Sequence, residues 1–437
     1  MAALAHAFGQ QYTLPLPVSF YITGGVAAFI ASCAFLIFVE PNTTTPAFGH
    51  PSSTEEGKKT LLTFSERGWK ILTWLVQSVL FLILMGGILM GLFGSQEPSE
   101  NLLVYLFWLG LVLAAAYLSV LTSGWWEIGN PFRTVISWVV RENTTTSPRG
   151  LGSPPQLRRR EEGRKTGYTP AVIGYVLLIL LELFFQEWGT SPRFLAIALL
   201  VCAVYLCVGS MFYGIEKWFR HADFFTLFFR LAGMLSPFRL EEGKLVVSSP
   251  ARRLIFGEVT KLSLVVFIIF ALAATAFDGF RETELMYLIA EAGSFLSFEA
   301  WSFIVFASLP FMFFGLFAGT IWVMKRLVDG KKPLRYYLLR FSLSLVPIVL
   351  AYHFAHYFPL LFSYAPRVLI GADKIWYIQL AVIVLGHAFA AYVAHRIALV
   401  EFTIRKQALL SQLPLLVLMV FYTAFGLWIL SQPFASF

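Results

Sequence analysis

Apolar stretches long enough to cross a lipid bilayer recur ten times along this chain, and no other feature constrains its fold as strongly. A hydrocarbon core about 30 Å thick needs about 20 residues of helix. Val18–Val39, Trp69–Phe93, Leu102–Thr122, Pro170–Phe185, Phe194–Tyr213, Glu258–Phe277, Trp301–Met324, Leu338–Tyr357, Ile375–Arg396 and Leu413–Leu430 fit that need, the fourth being the shortest. In lipid every backbone N–H and C=O must be satisfied within the segment, so apolar runs of this length fold as helices. The expectation is an all-α, polytopic transmembrane helix bundle of about ten spans, forming one integral membrane domain over residues 1–437. Composition agrees, with 58% hydrophobic against 13% charged residues and a mean hydropathy of +0.71. That is more apolar surface than a water-soluble core can hide, which excludes a soluble enzyme, a disulfide scaffold and a disordered tail. Cys33, Cys202 and Cys207 all lie in apolar runs without a C-x-x-C pair and read as packing residues.

Charge sets the direction of the spans. The loops after the odd-numbered spans, counted with Arg340 and Arg396 at the adjoining span ends, hold 27 Lys and Arg, those after the even-numbered spans hold 4, and both termini hold none. Cytoplasmic loops carry the basic excess, so both termini are expected outside. The net charge of +8 is thereby assigned to orientation and to anionic lipid, with no nucleic-acid partner. Ala3-Leu4-Ala5 resembles the end of a signal peptide, which suggests a start upstream. Residues 142–169, with Pro154-Pro155 and Arg158-Arg159-Arg160, read as a flexible cytoplasmic loop. Trp125–Val140 and 216–238 mix charges with Trp and Phe and read as interfacial helices; His221 and Asp223 would lie on a solvated face. Gly87 with Gly91 and Gly315 with Gly319 are spaced for close helix approach.

Ionisable residues inside a bilayer are costly and are functional candidates for that reason. With the orientation above, His353 and His356 share one face in the outer half of the eighth span, and His387 lies at mid-depth in the ninth. Glu182, Glu187 and Asp278 fall near outer ends, and His6 precedes the first span on that side. Imidazole and carboxylate together hold a divalent metal ion and lower the pKa of its water. The expected metal set is therefore His353, His356, His387 and His6, with Asp278 and Glu182 as catalytic carboxylates or orienting groups. His395, at the inner end of the ninth span, stands apart. Two other readings remain open: haem or copper held by His356 and His387 for electron transfer, and a transporter. One-sided clustering and the absence of an inverted repeat weigh against transport.

Local strings extend beyond composition. They include Leu14-Pro15-Leu16-Pro17, Asn130-Pro131, Leu181-Glu182-Leu183, Thr275-Ala276-Phe277-Asp278-Gly279 and Ser344-Leu345-Val346-Pro347-Ile348. Further along come Ala355-His356-Tyr357-Phe358, Trp376-Tyr377-Ile378-Gln379, Gly386-His387, Ala394-His395-Arg396-Ile397-Ala398 and Leu418 through Thr423. In order and spacing, along essentially the whole chain, they resemble the bacterial multi-span membrane proteins labelled fenitrothion hydrolase. The resemblance implies a hydrolase in the bacterial inner membrane that cleaves the aryl ester of a neutral phosphorothioate triester. It also implies an apolar small-molecule substrate and a second membrane subunit.

Overall fold

The computed structural model describes residues 23–27, 30, 59–140, 167–241, 243–257, 259–364 and 372–431. His6, most of the first expected span and nearly all of the 142–169 loop lie outside the described residues; residues 23–27 and 30 of that span are helical. The chain is an all-α, multi-pass membrane protein. Eight helices among the described residues are long and apolar enough to cross a bilayer. The chain divides into two compact units. A central unit comprises Lys59–Val247; a C-terminal unit comprises Met1–Lys58 with Ser248–Phe437.

The central unit opens with β1 (Lys59–Thr63), α1 (Glu66–Phe93), α2 (Leu102–Leu121) and β2 (Thr122–Ser123). It continues through α3 (Trp125–Gly129), α4 (Pro131–Val139), α5 (Thr169–Leu183), α6 (Gln186–Thr190) and α7 (Pro192–Tyr213). It closes with α8 (Ile215–Ala222), α9 (Phe224–Gly233), β3 (Phe238–Glu241) and β4 (Lys244–Val247). Helix starts follow the side chains that accept from orphan backbone N–H groups: Ser65 for α1, Asn101 for α2, Asn130 for α4, Ser191 for α7 and Asp223 for α9. Most of α1 faces outward, with Trp74, Leu82 and Phe93 exposed, as a lipid-facing helix requires. Gly91 is where α1 meets the start of α7: a Cβ there would stand 2.8 Å from the Pro192 carbonyl. By contrast, nothing lies within 4 Å of a Cβ built at Gly315 or Gly319, so that second glycine pair packs no helix among the described residues.

A four-stranded sheet in the order β1-β4-β3-β2 was not expected from the sequence. β4 pairs antiparallel with β1 and β3, and the two residues of β2 run parallel to β3. Its strands are short, and the β3–β4 turn needs the positive φ of 78° that Gly243 supplies. The 216–238 segment also differs from expectation. It is two helices, α8 and α9, ending where β3 begins, and α9 is buried through Phe225, Leu227, Phe228, Phe229 and Leu231. Its aromatic residues serve as core. Likewise, Trp125–Val140 forms two helices that meet at Asn130.

The C-terminal unit contains α10 (Pro250–Phe256), α11 (Leu262–Arg281), α12 (Glu284–Ala292), α13 (Phe298–Leu327) and α14 (Leu334–Ser342). A 3-10 turn at Leu343–Leu345 leads into α15 (Val346–Tyr364), followed by α16 (Ala372–Glu401) and α17 (Arg405–Ser431). The expected sixth span is displaced. Its helix begins at Leu262 rather than Glu258 and runs past Phe277 to Arg281, because nothing breaks it until Thr283 caps α12. Asp278 therefore sits inside a helix, not at its exit. The bundle buries α11 and the α14–α15 span most deeply: 72% and 78% of their apolar windows are enclosed, against 28% for α13. Those are the two elements that carry Asp278 and the His353/His356 pair.

Candidate functional site

Asp278 and His356 come together in the C-terminal unit. His356 Nδ1 lies 2.8 Å from Asp278 Oδ2, with the imidazole 18% and the carboxylate 7% exposed. The atoms are at ion-pair distance but off good hydrogen-bond alignment, so a small rotation of either side chain seats a proton between them. α11 supplies the carboxylate and α15 the imidazole, two packed helices whose separation in sequence hides the contact. A carboxylate on Nδ1 selects the neutral tautomer whose lone pair is on Nε2.

The other histidines are arranged around the same end of α15. His353 is buried, and its ring lies 4.6 Å from that of Tyr357, which stands 4.5 Å from His356 on its other side. Tyr357 thus touches both members of the H-x-x-H pair. His387 enters from α16, as expected, but its ring is edge-on to Tyr352 at 5.8 Å. Its Nδ1 is 2.8 Å from the Ile383 carbonyl one turn back, which fixes its tautomer as the Asp278 contact fixes that of His356. Around them, Gln379 donates to the Ala355 carbonyl (2.6 Å) and Tyr352 to the Tyr422 carbonyl (2.9 Å). These contacts clamp α15 against α16 and α17.

Among the described residues, no three His, Cys, Asp or Glu side chains gather as a metal-binding group. His356 with Asp278 supplies two donors, and His6 lies outside the described residues. Glu182 is half-buried in the last turn of α5, and so belongs to the central unit. His395 stays apart from the Asp278 contact, its Nδ1 2.6 Å from Gln412 Oε1.

A second buried carboxylate was missed. Asp223 had been placed on a solvated face, but it is 3% exposed. Its Oδ2 accepts from Thr226 Oγ1 (2.5 Å) and Asn130 Nδ2 (3.1 Å), and its Oδ1 from the Phe225 N–H (3.0 Å). Asn130 Oδ1 in turn accepts from the N–H groups of Phe132 and Arg133. The N-caps of α4 and α9 therefore join through one network, to which Trp126 adds a bond to Thr226. Burial raises the Asp223 carboxyl above its ordinary 3.8 despite these donors. Next to it, His221 stacks on Tyr168 at 4.8 Å and bonds the Lys217 carbonyl. Burial first, and then the nearby Arg230, Arg220 and Lys217 charges, lower its pKa. An Asn-Pro followed about 90 residues later by Asp before an aromatic run was the available signal, but such a pair cannot be recognised without the fold.

No protein-family model, no curated protein and no solved structure matches the chain.

Proposed function

We propose that this chain is a membrane-embedded hydrolase of neutral organophosphate triesters of the fenitrothion type. In this reading it works at the outer leaflet of a bacterial inner membrane, together with a second membrane subunit. The observation that carries the reading is the Asp278–His356 pair. A carboxylate against Nδ1 of an imidazole that keeps partial exposure is the arrangement of a general base. It lies within an apolar, aromatic bundle suited to a substrate that partitions into lipid. Asp278 orients the ring and stabilises the imidazolium that forms. His356 Nε2 takes a proton from water, the resulting hydroxide oxygen bonds to phosphorus, and the phosphorus–aryloxide bond breaks. The nitrophenolate leaves with the bonding electron pair and needs little acid assistance. The imidazolium then returns its proton to solvent. Tyr357, between His353 and His356, is placed to hold the ring plane.

The test is release of nitrophenol from a phosphorothioate triester by membranes carrying the chain and its partner subunit. Turnover that disappears in His356→Ala is the expected result. No turnover, together with a Soret band in the purified protein, would replace this reading with haem-based electron transfer; no turnover with substrate uptake into vesicles would replace it with transport. Activity that survives exhaustive chelation assigns water activation to the pair itself. Activity lost on chelation and restored by one divalent ion would make His356 a metal ligand, the role expected from sequence. Reporter fusions at Lys331 should behave as cytoplasmic and those at Ser99 as external; the reverse pattern removes the outer-leaflet assignment.

A further inference from the structure

The four-stranded sheet of the central unit is fastened to the ends of two apolar helices. β1 ends at Thr63 and α1 begins at Glu66, so at most about 11 Å of chain separates them. β2 begins at Thr122, directly after the last residue of α2. α1 and α2 are successive helices long and apolar enough to cross the bilayer, which puts the start of one and the end of the other on the same side. Two sets of contacts hold the sheet against them. The Gly243 carbonyl in the β3–β4 turn accepts from the Phe64 N–H at 2.8 Å, and a Cβ on Gly243 would lie 3.4 Å from the ring of Trp69, the fourth residue of α1. Ser236 Oγ donates to the Leu121 carbonyl at 2.6 Å and accepts from the Ser123 N–H at 3.2 Å. A sheet tied at these points stays at the depth where the spans leave the hydrocarbon.

Its two faces differ. Strand pairing, rather than any alternation along the chain, places Leu62, Phe238, Leu240, Leu245 and Val247 on one face, and Thr60, Arg239, Glu241 and Lys244 on the other. On the apolar face Leu62 is 55% and Phe238 40% exposed, and Leu240, Leu245 and Val247 are partly exposed. The β1 register shifts between Thr60 and Leu62, which leaves Leu61, also 55% exposed, as the extra residue of a bulge. β1 is moreover an edge of the sheet. An edge strand with two exposed leucines invites pairing with other chains in water, and folds avoid this by covering it. Along the chain this strand leads straight into the lipid-facing surface of α1, where Ile71 and Trp74 are 59% and 65% exposed. Charge agrees with lipid as the cover. Lys70 and Arg239 are paired with Glu66 and Glu241, whereas the exposed Lys59, Arg67 and Lys244 around β1 have no ion pair among the described residues. Apolar side chains flanked by cations suit an interface with anionic lipid.

We propose that the sheet is a membrane-surface anchor. Its Leu62–Phe238 face, with Leu61, enters the interfacial region of the leaflet from which α1 starts, and Lys59, Arg67 and Lys244 meet the headgroups of anionic phospholipid. The anchor belongs to the central unit and does not depend on the Asp278–His356 reading.

Nitroxide depth measurements on the full chain in mixed phosphatidylglycerol and phosphatidylcholine vesicles test the proposal, with Cys33, Cys202 and Cys207 replaced by alanine. Labels on Leu62→Cys and Phe238→Cys are expected about 5–10 Å below the phosphates, reached by oxygen in preference to a water-soluble nickel complex. A label on Thr60→Cys, on the opposite face, should be reached by the nickel complex. Equal nickel access on both faces would overturn the anchor in favour of a sheet open to water. Shielding of the Leu62→Cys and Phe238→Cys labels from both reagents would overturn it in favour of a protein partner or a second copy of the chain. In phosphatidylcholine alone these labels should sit shallower, and Lys59→Gln/Arg67→Gln/Lys244→Gln should abolish that difference; equal depth in both lipids with the parent charges would overturn the role of the cations. If a labelled variant does not fold, a photoreactive phospholipid decides the question on the unmodified chain: labelling of peptides from 59–63 or 238–247 alongside α1 supports the anchor, and labelling of α1 without them overturns it.

Discussion

The two units each bury an aspartate, and they treat it in opposite ways. In the central unit, Asp223 is surrounded by neutral donors: the Thr226 hydroxyl, the Asn130 amide and the Phe225 N–H. None of them titrates near neutral pH, and each is also part of a helix cap or its support. In the C-terminal unit, Asp278 faces the imidazole of His356, a group whose proton can leave and return. A buried carboxylate with fixed neutral donors joins secondary-structure elements; one with a titratable partner is equipped to move a proton. Both are Asp in apolar surroundings, so the difference lies in the partner and not in the residue.

Five substitutions test this contrast. The largest effect is expected at His356: His356→Ala should lower triester turnover by about 10² to 10⁴-fold, the usual contribution of a positioned general base. Insertion should be intact, because one imidazole contributes little to a bundle of this size. Asp278→Asn keeps the shape but removes the charge that orients the ring, and a loss of about 10 to 10²-fold in turnover is expected with KM little changed. If Asp278→Asn matched the parent in rate and pH profile, the two aspartates would be equivalent and the contrast would fail.

Next comes Asp223→Ala, which leaves Asn130, Thr226 and the Phe225 N–H short of an acceptor. A loss of about 2 kcal/mol in unfolding free energy is expected from denaturation in detergent, with turnover per folded molecule within twofold of the parent. The Asp223 network also has a pH signature. Its folded-state carboxyl is raised by burial above the ordinary 3.8, so the folded state holds this proton more tightly than the unfolded chain does. Stability from this group therefore rises as pH falls through the folded pKa, is complete below 3.8, and is absent at higher pH. Asp223→Asn should remove that dependence; an unchanged pH slope in this variant would show that the carboxylate is already paid for by its donors. The smallest effect belongs to His395→Ala, which breaks the bond to Gln412. It should cost about 1 kcal/mol of stability and leave activity alone, since His395 is apart from the Asp278–His356 pair.

Much of the scaffold could be read from the chain. Nine of the ten expected spans coincide with helices among the described residues, and the tenth is described only at residues 23–27 and 30. Eight meet the length and hydropathy of a span, while Thr169–Leu183 is shorter. Hydrophobic runs are a local property and lipid enforces one answer for them. The errors occurred where local character and environment diverge. Residues 216–238 read as an interfacial helix because charges mix with Trp and Phe there; in the structure they form two helices whose Phe225, Phe228 and Phe229 rings are buried, and Asp223, expected on a solvated face, caps the second. The strands at 59–63, 238–241 and 244–247 carry no strong alternating pattern, and β1 and β2 find their partners far away in sequence.

The candidate site divides along the same line. By itself the sequence determined that His353, His356, His387 and Asp278 are ionisable groups in or beside apolar helices, and that His353 and His356 share a face, because composition and the helical repeat depend only on neighbours in the chain. Only the tertiary structure decided that Asp278 meets His356, that Tyr357 touches both histidines of the H-x-x-H pair, and that His387 turns to Tyr352. Those outcomes depend on how far α11 extends and how α15 and α16 rotate against one another, and both are set by side-chain packing between segments far apart in sequence.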